Sequence, residues 1–124
     1  MSGPWPNDIY TEPNADPDTL ANLGPLRTMA GVWVTDGGSD EHPVVEGTET
    51  SQYVERNEIQ PIDPQTNGPQ LFYGLRYHTH IVKPGEVETF HDQVGYWLWE
   101  PATKTVCLTL AIPRAQVALA GGTA

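Results

Sequence analysis

The chain has 124 residues, and its 16 Asp and Glu against 6 Lys and Arg give a formal net charge of −10. This length allows a single small domain. Such a negative charge argues against partners such as nucleic acid or an anionic membrane surface, because both repel an acidic chain. The one cysteine, Cys107, excludes an intrachain disulfide. Its apolar surroundings in 106–112 predict a buried, inert thiol.

Residues 1–18 are rich in Pro, Asp and Asn without any periodicity, and they predict an extended leader before a domain at 19–124. The N-terminus has neither the basic nor the apolar region of a signal peptide, and no segment is long enough to span a bilayer. A cytoplasmic location is therefore expected.

Leu20, Leu23, Leu26 and Met29 recur every three residues. This spacing predicts a short helical or 3₁₀ segment, serving either as a plug in one end of a barrel or as a simple cap on the core.

From Gly31 onward the apolar residues alternate with period two, which predicts strands. The expected order is a short strand at 32–34, a loop at 35–40, a long polar strand at 45–59, a connection at 60–69, and strands at 71–81, 88–100, 106–112 and 116–120. A hairpin turn is expected at 83–85. The predicted fold class is all-β, an antiparallel meander of about six strands with a short N-terminal helical segment.

Twisted strands joined by consecutive hairpins tend to curl into a lipocalin-like β-barrel. Closing a barrel that holds a ligand takes about eight strands, so the sequence predicts a barrel or an incomplete barrel. The edge that carries Leu119 would then lack a partner strand, which favours a homodimer. An alternative is an inactive truncated barrel that self-associates.

The strand at 88–100 carries the candidate ligand site. Without a bulge, His91, Gln93, Trp97 and Trp99 point to the same side, as in the wall of a mostly apolar pocket with a few polar groups. The alternative interpretation is an ordinary barrel strand with a hydrogen-bonded histidine.

A hairpin centred on Pro84 and Gly85 would pair His78 with His91 and place Arg76 on the same face. An arginine there would suit a carboxylate or an oxyanion, because its guanidinium offers a bidentate fork. His78 and His80 could bind zinc if a third ligand converged, but polar residues on a solvent or lumen face are the simpler interpretation, and no metal site is predicted. No catalytic residue is predicted either, because the sequence lacks a Ser-His-Asp arrangement in its expected context.

Four segments carry a family resemblance. They are Gly31-Val-Trp33-Val-Thr-Asp-Gly37, His42-Pro43, Phe90-His91-Asp-Gln-Val-Gly95-Tyr96 and Leu110-Ala-Ile-Pro-Arg-Ala-Gln-Val117. Together they resemble the nitrobindin-like (THAP4-type) haem-binding β-barrel family, formerly described as fatty-acid-binding-protein-like. The resemblance extends over residues 25–122 and corresponds to the front half to two-thirds of that family's domain.

The resemblance implies a barrel that holds ferric haem b at one open end, with nitric-oxide binding and peroxynitrite isomerisation as the chemistry. It places His91 on the distal side of the haem. The predicted ligand-binding residues are His91, Gln93, Trp97, Trp99, Arg76, His78 and Trp33, with Arg76 and His78 orienting the ligand and the indoles of Trp97 and Trp99 as apolar walls. The family's axial histidine lies near its C-terminus, whereas this sequence has no histidine after His91. The expected function is binding of a small apolar or haem-like ligand, and the alternative is a non-catalytic carrier of fatty-acid-like molecules.

Overall fold

The computed structural model describes residues 19–44, 47–85 and 89–124, with side chains described at 20–35, 52–85 and 89–124. The predicted leader therefore lies outside the described residues. A short helix α1 (Thr19–Asn22) and a 3₁₀ helix (Gly24–Met29) precede six strands. The strands are β1 (Gly31–Val44), β2 (Gly47–Asn67), β3 (Gln70–Val82), β4 (Thr89–Glu100), β5 (Thr105–Ile112) and β6 (Gln116–Thr123).

The six strands form one antiparallel sheet in chain order, β1-β2-β3-β4-β5-β6. Within the described ranges β1 and β6 each pair on one side only, so the sheet is not closed. The all-β meander and the incomplete barrel predicted from the sequence are thereby confirmed. No helix in the part of the chain that the structure describes is long and apolar enough to cross a bilayer.

Two predicted loops are instead parts of long, irregular strands. The loop expected at 35–40 belongs to β1, whose pairing with β2 shifts between Thr35 and Gly38. Much of the connection expected at 60–69 belongs to β2, which continues to Asn67 with a shift between Ile62 and Gln65. Among the described residues, the part of β2 beyond Ile59 pairs with β3 and not with β1. A proline can be accommodated on such a one-sided stretch, because its missing N–H need not interrupt a second ladder.

The helical segment packs on one face of the sheet, as its leucine spacing predicted. Leu23 is fully buried and Leu26 is 5% exposed, and both belong to a cluster with Leu75, Tyr77 and Trp99. Fully burying a leucine side chain stabilises a fold by about 1.5–3 kcal/mol. We call this side of the sheet the core face, and the other side the opposite face.

Gly24 lets the helical segment approach the sheet closely. It has φ +55°, and a Cβ added there would lie 2.7 Å from Nε1 of Trp99. Any other residue would therefore be strained in its backbone and would also push the indole away.

The register between β3 and β4 corrects the hairpin prediction. His78 lies opposite Val94 rather than His91, and His91 lies opposite Ile81. The connection between the strands is longer than a two-residue turn, and the register shifts between Ile81 and Val82. A slip by an odd number of residues moves every side chain of a strand to the other face. His78 and His91 consequently lie on opposite faces of the sheet.

Close packing at Gly95 gives a direct test of the β4–β5 register. A Cβ at Gly95 would lie 2.0 Å from the backbone oxygen of Thr109, whereas one at Gly122 would meet nothing within 4 Å. We expect Gly95→Ala to lower the free energy of unfolding by about 1–3 kcal/mol or more, because backbone atoms must move. Gly122→Ala, the matched control in β6, should change it by less than about 1 kcal/mol. Equal urea midpoints for the two variants would contradict this register.

Candidate functional site

The core face carries five of the seven predicted ligand-binding residues. His91, Gln93, Trp97 and Trp99 alternate along β4 with continuous pairing to β3, so they share one face as predicted. Trp33 joins them through a row of directly opposed residues that crosses four strands. This row is Trp33, Asn57, Thr79 and Gln93. Arg76 and His78 lie on the opposite face, so the structure does not bring all seven residues together.

A chain of hydrogen bonds connects the polar residues of the core face. Nη2 of Arg114 is 3.3 Å from Nδ1 of His91, and Nε2 of His91 is 3.2 Å from Oε1 of Gln93. Nε2 of Gln93 donates to the Tyr77 hydroxyl at 2.8 Å, and that hydroxyl donates to the backbone oxygen of Thr109 at 3.1 Å. We call these residues the polar chain.

The partners of His91 indicate which of its ring nitrogens donates a hydrogen bond and which accepts one. An arginine side chain can only donate, so Nδ1 of His91 must accept. The Gln93 carbonyl oxygen can only accept, so Nε2 of His91 must carry the hydrogen. The tautomer of His91 that satisfies both hydrogen bonds carries its hydrogen on Nε2. With this tautomer every hydrogen bond of the polar chain is donated in the same direction, from the Arg114 guanidinium toward the Thr109 carbonyl oxygen.

Local structure places both ends of the polar chain. Arg114 lies between the strands predicted at 106–112 and 116–120, and its backbone N–H donates to the Ile112 carbonyl oxygen at 2.7 Å. The next residue, Ala115, has φ 59° and turns the chain into β6. At the other end Tyr77 lies opposite Gly95, which has no side chain. Its hydroxyl can therefore reach past β4 to Thr109 on β5.

The tryptophans of the core face differ in accessibility. Trp99 is 9% exposed and packs beneath Gly24, so it belongs to the core under the helical segment. Trp97 is half-buried and packs against the edge of the same cluster. Trp33 is 52% exposed, and its indole N–H donates to the Met29 carbonyl at 2.8 Å. Trp97 and Trp33 are thus the indoles that a ligand on this face can reach without moving the helical segment.

The opposite face carries a groove of about 630 Å³. It is lined in part by Gln60, Arg76, His78, Val94 and Tyr96. Nη2 of Arg76 donates to Oε1 of Gln60 at 3.3 Å. A ligand-binding role for Arg76 and His78 stays a prediction, and it concerns this groove rather than the core face.

The histidines of the opposite face are bonded to their neighbours. Nε2 of His78 is 3.0 Å from Oδ2 of Asp92, and Nε2 of His80 is 3.0 Å from Oγ1 of Thr89. The two rings stack with centroids 5.9 Å apart. Among residues with described side chains, no three His, Cys, Asp or Glu are grouped to hold a metal ion. His91 does not join His78 and His80 as a third zinc ligand, because it lies on the core face.

Sequence reasoning missed Tyr77 and Arg114. Tyr77 is one of the apolar positions of β3 that alternate with polar residues such as Arg76 and His78. This pattern indicates a core position but gives no sign of the hydrogen bonds of the Tyr77 hydroxyl. Arg114 lies 23 residues from its partner His91. The gap between the strands predicted at 106–112 and 116–120 indicated a connection there, but only the packed sheet places that connection beside the start of β4.

Comparison with known proteins supports the family resemblance. The family model described as THAP4-like, heme-binding beta-barrel domain matches residues 22–124. No curated protein and no solved structure matches the chain. The matched range includes the 3₁₀ helix, all six strands and the whole polar chain. The chain therefore belongs to the THAP4-like haem-binding β-barrel domain family.

Proposed function

We propose that the core face binds a small planar or extended apolar ligand, with haem as the ligand class that the family name indicates. The observation that carries this proposal is the placement of accessible indoles and a half-buried polar chain on one face. Ligand pockets typically combine mostly apolar walls with a few placed polar groups. Trp97 would contact the apolar body of the ligand, and His91 and Gln93 would lie beside its polar part.

The described histidines do not fit the role of an axial ligand for haem iron. Nε2 of His91 carries a hydrogen and Nδ1 accepts from Arg114, so neither nitrogen has a lone pair left for iron. His78 and His80 lie on the opposite face. The side chain of His42 lies outside the described ones. We therefore derive no nitric-oxide or peroxynitrite step for this chain, and we propose that apolar contact and hydrogen bonds hold the ligand.

A comparison of haemin with iron-free protoporphyrin IX tests this proposal. If the described residues provide no iron ligand, the two dissociation constants should agree within about threefold, since both compounds present the same apolar plane. The measurement is quenching of tryptophan fluorescence, accompanied by the Soret spectrum of haemin. Haemin binding more than about thirtyfold tighter, with a Soret band typical of histidine ligation, would contradict the proposal.

Two neighbouring residues of β4 provide the control for this experiment. Trp97→Leu should weaken protoporphyrin IX binding about tenfold, because a large aromatic contact is lost. Tyr96→Leu should leave binding within about twofold, because Tyr96 lines the groove on the opposite face. Circular dichroism verifies that both variants fold. Quenching by laurate but not by either porphyrin would favour the fatty-acid-carrier alternative.

We also propose that the chain forms a homodimer through β6. This strand pairs with β5 on one side, and its Val117 and Leu119 are 82% and 74% exposed. An uncharged edge strand with exposed apolar side chains is a surface that favours pairing with another strand. Antiparallel pairing of β6 with β6 of a second copy would bury the same residues from both chains, as a twofold interface does.

Sedimentation velocity at increasing protein concentration tests the homodimer. The wild-type chain should shift from monomer to dimer mass, and Leu119→Lys should weaken association at least tenfold, because a charge on an exposed edge opposes pairing. Val32→Lys, on the other edge strand and also exposed, should leave the association constant within about twofold. A wild-type monomer at every concentration would rule out this interface.

A further inference from the structure

We propose that Arg114, positioned by its hydrogen bond to His91, forms with Gln93 a subsite for the carboxylate of a ligand on the core face. This inference rests on the proposed function, and it names the ligand class that the site selects. Arg114 lies in the exposed turn between β5 and β6, at the end of the sheet away from the helical segment. Its guanidinium is hydrogen-bonded to His91, which lies near the start of β4.

The direction of the polar chain leaves N–H donors for a ligand. Both ring nitrogens of His91 are used within the chain, and the Gln93 oxygen accepts from His91. The Gln93 amide nitrogen has two hydrogens and gives one to Tyr77. The guanidinium has five N–H groups and gives one to His91. The polar chain therefore offers N–H donors to a ligand oxygen that accepts hydrogen bonds. It disfavours an ammonium group, which can only donate.

The charge of Arg114 narrows this class to acids. Hydrogen bonds from a guanidinium to a carboxylate are stronger than bonds between neutral groups, and they can be bidentate. Asp92, the carboxylate next to His91 in sequence, bonds His78 on the opposite face. Glu55 shares the row of Ile81 and His91 on the core face, but β3 separates it from His91 by roughly 10 Å. An acid bound at Arg114 would thus meet the guanidinium before either of these carboxylates.

An acid and its ester distinguish this subsite from apolar binding alone. The probes are protoporphyrin IX and its dimethyl ester, added from the same solvent stock, and the readout is tryptophan quenching. The wild-type chain should bind the acid about five- to tenfold more tightly than the ester, a modest ratio because Arg114 is exposed. Arg114→Gln should reduce this preference to within about twofold, and Arg114→Lys should retain most of it.

Lys104→Gln is the matched control, because it removes the same charge from a turn at the other end of the sheet. It should keep the wild-type preference. Equal binding of acid and ester by the wild-type chain would overturn the carboxylate subsite while leaving the proposed function intact. A preference that survives Arg114→Gln would also overturn it. Binding of neither probe would overturn the proposed function and this inference together.

Discussion

The antiparallel pairing of β3 with β4 decides which side chains of this domain can act on one ligand. Because Ile81 lies opposite His91 and Leu75 lies opposite Trp97, the core face receives the histidine, the glutamine and the indoles of β4. The same pairing sends Arg76 and His78 to the opposite face. A register different by one residue would exchange these two sets and separate His91 from Tyr77.

The core face changes from apolar to polar along the strands. At one end the helical segment covers Leu75 and Trp99, and this burial excludes water from the indole of Trp99. At the other end the row of Asn57, Thr79 and Gln93 begins, and Oγ1 of Thr79 donates to Oδ1 of Asn57 at 3.1 Å. Tyr77 belongs to both parts, since its ring is 3% exposed and its hydroxyl is a member of the polar chain. A buried hydroxyl with both a donor and an acceptor partner avoids the cost of an unsatisfied polar group.

The sequence predicted the strands whose alternation is regular, and it failed where strands are bent. Residues 75–81 and 106–112 show the alternation most clearly, so period two located β3 and β5. Gly37, Gly38 and the prolines at 61 and 64 are typical turn residues, yet here they lie within bulged or one-sided stretches of β1 and β2. Local composition cannot distinguish a bulge from a loop, because both leave backbone groups outside the regular ladder.

The candidate site was predicted only in part, for a related reason. The shared face of His91, Gln93, Trp97 and Trp99 follows from spacing along one strand, and it was confirmed. The pairing of His78 with His91 depended on the length of a connection and was wrong. Arg114 reaches His91 through the packed sheet, so only the three-dimensional structure identified it.

The tautomer of His91 tests the central claim most directly, because the hydrogen bonds of His91 to Arg114 and to Gln93 depend on it. Long-range ¹H–¹⁵N correlation spectra of the folded chain near neutral pH assign the ring nitrogen that carries the hydrogen. We expect the neutral form of the ring to carry its hydrogen on Nε2 in the wild-type chain. A neutral ring that carries its hydrogen on Nδ1 would contradict the account, because Arg114 would then face an N–H group instead of an acceptor.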